Sequence, residues 1–262
     1  MLEMETLSEV SSKGAEFLLE GFLPIPKRAV TLLSASGGTG KTRLSLVMAD
    51  KHIQETGEKV ALWLTEDFKG QVRHTFDELV KSGICKSNSM DNIRLILNQP
   101  PQLAKRENGL FKANYKAIED IGKALVLDGI SFAVFDPLLA FYGGNENDNS
   151  EARVFIQTFA EWAKVSEITT LIIHHSNKEG GSRGATAFHD GVRCRYELNI
   201  IEDERKHAAG YREVILKKDN WGAKVPFWKL YGEDPAYIRL MPPLDKTIYV
   251  KEYEYKMEGA VL

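Results

Sequence analysis

The residues Ser36-Gly37-Gly38-Thr39-Gly40-Lys41-Thr42 constrain this chain more than any others. They follow Ala29-Val30-Thr31-Leu32-Leu33, an apolar run that reads as a buried strand. They precede Leu44, Val47, Met48 and Ile53, whose spacing marks one face of a helix. A glycine-rich turn between strand and helix gathers backbone N–H groups around one point, at the positive end of the helix dipole. Such a turn is a cradle for phosphate. In that setting Lys41 reaches the outer phosphates of a bound nucleotide and the Thr42 hydroxyl ligates Mg²⁺. Ala35 stands where the full pattern has its first Gly, while Gly38, Gly40 and Lys41 are kept.

The strand–helix order then repeats. Val60 to Leu64 is a second strand, Val72, Phe76, Leu79 and Val80 a second helix face, and Ile93 to Leu97 a third strand. Residues 98–112 read as a loop or small insertion. A helix through Tyr115, Ile118, Ile121 and Leu125 leads to a strand at Phe132 to Phe135. A helix through Phe155, Phe159 and Trp162 leads to a strand at Thr169 to Ile173. Alternation of this kind predicts an α/β fold with a mostly parallel sheet and helices on both faces. Past residue 194 helical periodicity fades. Cys194 to Ile201, Tyr211 to Leu216, Val225 to Leu230 and Thr247 to Tyr255 read as strands of an antiparallel extension at one edge. The expected organisation is an N-terminal lead over 1–28, which includes a candidate subunit-contact segment, and one domain over 29–262, with the extension at about 194–262.

Lys plus Arg is 34 and Asp plus Glu is 37, a formal charge of −3, which excludes coating of nucleic acid by bulk charge but not a local basic groove. Cys85 and Cys194 form no CxxC pair, so neither a disulfide framework nor a cysteine zinc site is expected and a reducing, cytoplasmic setting is. No apolar run approaches the ~18 residues of a membrane span, and the acidic start lacks the marks of a secretory signal.

In open parallel sheets ligands sit beyond the carboxyl ends of the strands. Three such ends carry chemistry. Asp136, closing an apolar strand, is placed to hold the water shell of Mg²⁺ beside a triphosphate. Glu66 is the candidate base for an attacking water, with Asp67 as its competitor. His174 and His175 are adjacent, face opposite sides of a strand and make a poor shared metal site. One of them can meet the γ-phosphate or a water.

Taken in order, Leu33 to Thr42, Leu64-Thr65-Glu66-Asp67, Val134-Phe135-Asp136-Pro137-Leu138, Ile173-His174-His175-Ser176-Asn177-Lys178, Ser182-Arg183-Gly184-Ala185 with Asp190-Gly191-Val192-Arg193, and Lys218-Asp219-Asn220-Trp221-Gly222 resemble the RecA/DnaB class of ATPases. More narrowly they look like the RepA-type hexameric replicative helicases of plasmids and phages, over roughly residues 20–230. The resemblance implies a RecA-like fold, Mg²⁺-dependent ATP hydrolysis and a homo-oligomeric ring, a hexamer, on single-stranded DNA. It implies Glu66 as catalytic base, a His element relating the γ-phosphate to the DNA loops, and a trans arginine at Arg193, with Arg183 and Lys218 as rivals. It also implies two channel loops, residues 140–150 and 176–190, with Lys178 and Arg183 as nucleic-acid contacts in the second. The first carries Glu146 and Asp148 and no cation, a departure from that role. Two other readings stay open: a RecA-like recombination or annealing ATPase, and a nucleotide-gated regulatory or scaffolding protein.

Overall fold

In a computed structural model the protein is described for residues 5–10, 12–175, 185–222 and 236–241. Among the described residues its main sheet has eight strands: β1 Val30–Ala35, β2 Lys59–Leu64, β3 Ile93–Ile96, β4 Ile130–Asp136, β5 Thr169–His175, β6 Cys194–Asn199, β7 Tyr211–Asp219 and β8 Ala236–Arg239. Their spatial order is β8-β7-β6-β1-β5-β4-β2-β3. Strands β6 through β3 in that order are mutually parallel; among the described strands β7 alone is reversed, pairing antiparallel with both β6 and β8.

This corrects one expectation. Cys194 to Asn199 does not begin the antiparallel extension; it pairs parallel with β1, from Cys194 beside Thr31 to Leu198 beside Ala35. The alternating burial of β6 resembles an antiparallel strand with one wet face, but alternation reports which face is buried, not which way the strand runs. Direction follows from the connection, and the stretch between β5 and β6 is long enough for a crossover. The expected strands at Val225 to Leu230 and Thr247 to Tyr255 lie outside the described residues.

Helices α1 Lys41–Thr56 and α2 Lys69–Lys81 cover one face, and α3 Tyr115–Leu127 and α4 Asn149–Ser166 the other. The period-2 pleat sorts each strand between two cores: in β4, Phe132 and Val134 join α1 and α2, while Ala133 and Phe135 join α3 and α4. The second core is aromatic. Phe135 meets Phe141, Phe159 and Trp162 edge-on, with centroids 5.1, 5.2 and 5.7 Å away, the geometry that ring quadrupoles favour.

The stretch read as a loop at 98–112 holds a hairpin, Ala104–Glu107 with Leu110–Ala113. Its turn is Asn108-Gly109, both at positive φ, the two-residue turn whose twist matches paired strands. Tyr142–Gly143 adds a third strand. In the lead, Phe17–Leu18 pairs with Ile25–Pro26, and Leu19, Leu23 and Ile25 are buried in the core of α1 and β1. No helix among the described residues is long and apolar enough to cross a membrane.

Candidate nucleotide site

Strands β1, β5, β4 and β2 are neighbours and point the same way, so their carboxyl ends form one rim. Register makes the rim specific: Ala35 lies beside His175, and Leu64 beside Asp136. Ala35 is the last residue of β1 and fully buried. A strand position with no call for positive φ accepts Ala, which explains the departure from the glycine pattern.

The loop then turns through Gly38 at φ 76° and Gly40 at φ 101°, and α1 begins at Lys41. The second value favours glycine strongly, since a Cβ there crowds the backbone. Thr39 donates its hydroxyl to the Ser36 carbonyl at 2.9 Å, closing the loop on itself, and the Lys41 ammonium donates to the same carbonyl at 3.2 Å. Ser36, Gly37, Gly38, Thr39, Gly40, Lys41 and Thr42 thus form the compact strand-to-helix cradle that their sequence predicts.

Thr42 donates its hydroxyl to Asp67 Oδ2 at 3.0 Å. Asp67, the competitor of Glu66, is therefore the carboxylate seated directly on the loop. Glu66 is more exposed and lies 3.4 Å from the Nε2 of His175. Asp136, on the neighbouring strand end and within electrostatic reach of Lys41, Glu66 and Asp67, is 6% exposed, its Oδ1 buried without a hydrogen-bond partner among the described residues. Burial pushes its carboxyl up to about 7 from an ordinary 3.8; Lys41 opposes the rise, and Glu66 and Asp67 add to it. The site thus concentrates three acids, one stripped of water and unpartnered. A divalent cation held by Thr42 and Asp136 fits that set, since it brings positive charge to all three acids and the orphaned oxygen can serve as its ligand. Mg²⁺ takes few protein ligands and keeps waters and phosphate oxygens. The lack of any His, Cys, Asp and Glu cluster of metal-binding form among the described residues therefore does not bear against it.

His174 and His175 diverge as adjacent strand residues must. His175 turns to Glu66, while His174 is buried with its ring 5.5 Å from Phe188 and 5.7 Å from His189. Burial, and then the charge of Arg195, pull the His189 imidazole down to about 4, so it is neutral at physiological pH.

Arg193 is placed elsewhere. It precedes β6, whose first residue pairs with Thr31, so it lies at the opposite end of the sheet from the loop. Four residues of strand, about 13 Å, separate Thr31 from Ala35 before the loop begins. Arg193 is exposed, 6.0 Å from the Trp221 ring, in a groove it shares with Arg28, Arg153 and Lys164. Its rival Lys218 is tied to backbone, donating to the Asp190 carbonyl at 2.7 Å. Arg183 and Lys178 lie outside the described residues.

The stretch 140–150 is pinned. Tyr142 donates to the Asn145 carbonyl at 3.0 Å, the Asn145 N–H donates to the buried Glu151 at 2.8 Å, and Arg106 pairs with Glu151. The Ala185 N–H donates to the Glu146 carbonyl at 2.6 Å, and Asp148 caps α4 through Ser150 and Glu151 N–H. Of its two acids, Asp148 is thus committed as a helix cap, while Glu146 takes part through its backbone carbonyl.

Sequence reading missed Arg212. On β7 and 4% exposed, it donates from Nε to the Thr39 carbonyl at 3.0 Å. In sequence it is one more cation on an alternating strand. Burial and the charge of Arg43 both disfavour its charged form.

No curated protein matches the chain. A family model described as an AAA domain (AAA_25) matches residues 15–181, which include the phosphate loop, both acidic strand ends and His174-His175. With a phosphate cradle and its acids assembled on one rim of a parallel sheet, and that model spanning more than half its length, the chain belongs to this AAA-domain family of P-loop nucleotide-hydrolysing domains.

Proposed function

We propose that the protein is a Mg²⁺-dependent ATPase that forms a homo-oligomeric ring, a hexamer, and moves on single-stranded DNA as a replicative helicase of the RepA-like kind. The observation that carries hydrolysis is the convergence of Lys41, Thr42, Glu66, Asp67 and Asp136 on the rim of β1, β4 and β2. Bound Mg²⁺ would neutralise charge developing on the transferred phosphoryl group. Lys41 binds phosphate, Thr42 and Asp136 hold the cation, and Glu66 orients and deprotonates water from the open side of the site. Asp67 keeps Thr42 in place.

The position of Arg193 fits a trans role and excludes a cis one. A loose anionic transition state gains much from an added cation. Arg193, at the far end of the sheet, can supply one only to the site of another copy. Lys178 and Arg183 are the candidate contacts to DNA phosphates. The pinned, acidic stretch at 140–150 favours a second reading, a nucleotide-gated regulatory protein that does not translocate on DNA.

Steady-state ATP hydrolysis with Mg²⁺, with and without a single-stranded oligonucleotide, tests the proposal. Expected are DNA-stimulated turnover, loss of nucleotide binding in Lys41→Ala, and binding without hydrolysis in Glu66→Gln. Arg193→Ala mixed into wild-type protein should depress activity by more than dilution. Turnover indifferent to DNA supports the regulatory reading; normal turnover in Glu66→Gln moves the base to Asp67.

A further inference from the structure

Arg212 presents a buried charge without an evident counter-ion. Its guanidinium donates to the Thr39 carbonyl at 3.0 Å, to the Tyr211 carbonyl at 2.7 Å and to the Met241 sulfur at 3.1 Å, and lies 3.5 Å from His207 Nδ1. Among the described residues no carboxylate pairs with it, whereas nearby Arg43 has Glu78 at 2.5 Å. Arginine stays protonated in proteins, so this is a cation taken out of water that, among the described residues, is answered only by neutral acceptors. A buried charge without an opposite charge is costly, and burial here is near complete.

The place of that charge supplies the explanation. A loop that turns its N–H groups toward phosphate turns carbonyls away from it, and Arg212 holds the Thr39 carbonyl from β7, beyond the loop. Within the edge, the Leu240 and Met241 N–H groups both donate to the Gly210 carbonyl, which ties the end of β8 to the start of β7. The Met241 methyl lies 3.4 Å from where a Gly40 side chain would begin. The first strands of the antiparallel edge therefore buttress the phosphate cradle, with a positive charge at the contact.

We infer that Arg212 is a second cation of the phosphate site: held on Thr39, it has the phosphates of the bound nucleotide as its counter-charge, and nucleotide binding tightens the β7–β8 edge onto the loop. The inference rests on the nucleotide-site reading above. It makes Arg212 a positioning residue, acting through the loop and through its field rather than by touching the reacting atoms. It also gives the edge strands a stake in whether nucleotide is bound.

The test compares the full chain as wild type, Arg212→Gln, Arg212→Lys and Lys41→Ala, using a fluorescent non-hydrolysable ATP analogue with Mg²⁺. Arg212→Gln should bind about tenfold more weakly, the size of one lost charge-assisted contact. Arg212→Lys, which keeps the charge, should recover most of that loss. In turnover the defect should fall in KM more than in kcat. In wild-type protein, saturating analogue should slow hydrogen exchange at amides of 211–216 and 236–241, a readout that stands even if Arg212→Gln does not fold. Wild-type affinity in Arg212→Gln overturns the inference. So does equal weakness of the Lys and Gln variants, or exchange at the edge that ignores the analogue. If wild type binds no better than Lys41→Ala, the nucleotide-site reading itself fails and takes this inference with it.

Discussion

Replacing Asp136 with Asn should make the protein more stable at alkaline pH while removing its Mg²⁺-dependent turnover. The carboxyl ionises at about 7 in the fold against an ordinary 3.8, chiefly because burial disfavours the charged form. The folded state therefore holds this proton more tightly than the unfolded chain does. Its contribution favours the fold below pH 3.8, declines as pH rises, and is lost above about pH 7. Each decade between the two values is worth about 1.4 kcal/mol, so the ionised group costs the metal-free fold about 4 kcal/mol at pH 8. At pH 5 part of that cost is already present, which leaves about 2.5 kcal/mol to appear between pH 5 and 8. Asn has nearly the same shape and no titration. Urea unfolding of both proteins, followed by tryptophan fluorescence in EDTA without nucleotide, should show the variant gaining about 2.5 kcal/mol on wild type across that range. Any constant offset from lost polar contacts cancels, because only the pH dependence is read. A stability difference that stays flat from pH 5 to 8 would refute the claim that Asp136 is held in the fold as a strained acid awaiting a cation.

Three further substitutions probe geometry. Gly40→Ala places a Cβ at φ 101°, against the Met241 methyl, and should weaken nucleotide binding at least about tenfold in a fluorescence titration while costing about 1–2 kcal/mol of stability. Gly122→Ala puts a methyl 2.7 Å from Trp162 Nε1 where α3 meets α4; it should cost about 1–3 kcal/mol in denaturant unfolding and leave nucleotide affinity per folded molecule unchanged. Tyr196→Phe removes the 2.7 Å hydrogen bond from a fully buried hydroxyl to the Pro24 carbonyl, and unfolding should register about 1–2 kcal/mol of loss.

The phosphate loop was legible because its information is local. Strand, glycines, Lys41-Thr42 and helix are contiguous, and steric rules alone nearly dictate their shape. Asp136 was legible because an apolar strand ending in an acid is also a contiguous pattern. What sequence left out depends on distant partners. Whether β6 runs parallel is decided by the connection before it, not by its own alternation. Arg212 looks like any strand cation until β7 folds beside a loop 173 residues earlier. Asp67 and Glu66 are equivalent as neighbours in a chain, and only the trajectory after β2 gives Thr42 to the first and His175 to the second. The hairpin at 104–113 is a different case: its Asn108-Gly109 signal was present, but the charged strands around it, half exposed, lacked the apolar alternation that draws attention to a strand.

A strand end is a narrow place from which to couple two sites, and β5 shows how far side-chain alternation alone can do it. His175 faces Glu66 on the phosphate rim, and His174, one residue earlier, packs against Phe188 and His189 on the other side of the sheet. Phe188 and His189 come four and five residues after the stretch 176–184 that carries Lys178 and Arg183. Adjacent residues of one strand cannot move independently, because tight packing allows discrete repacking rather than smooth deformation. On the proposed function, a change in the company of Glu66 as phosphate comes and goes would be read at the aromatic contact of His174. His189 is suited to that contact because it is neutral: a charged imidazole beside Arg195 would resist close packing. On the proposed function this dipeptide is the shortest route from hydrolysis to DNA. The antiparallel edge is bonded to the same loop through Arg212 and lies on the other side of β1 from β5, so on the inference above it would be a second route, one that can be broken separately.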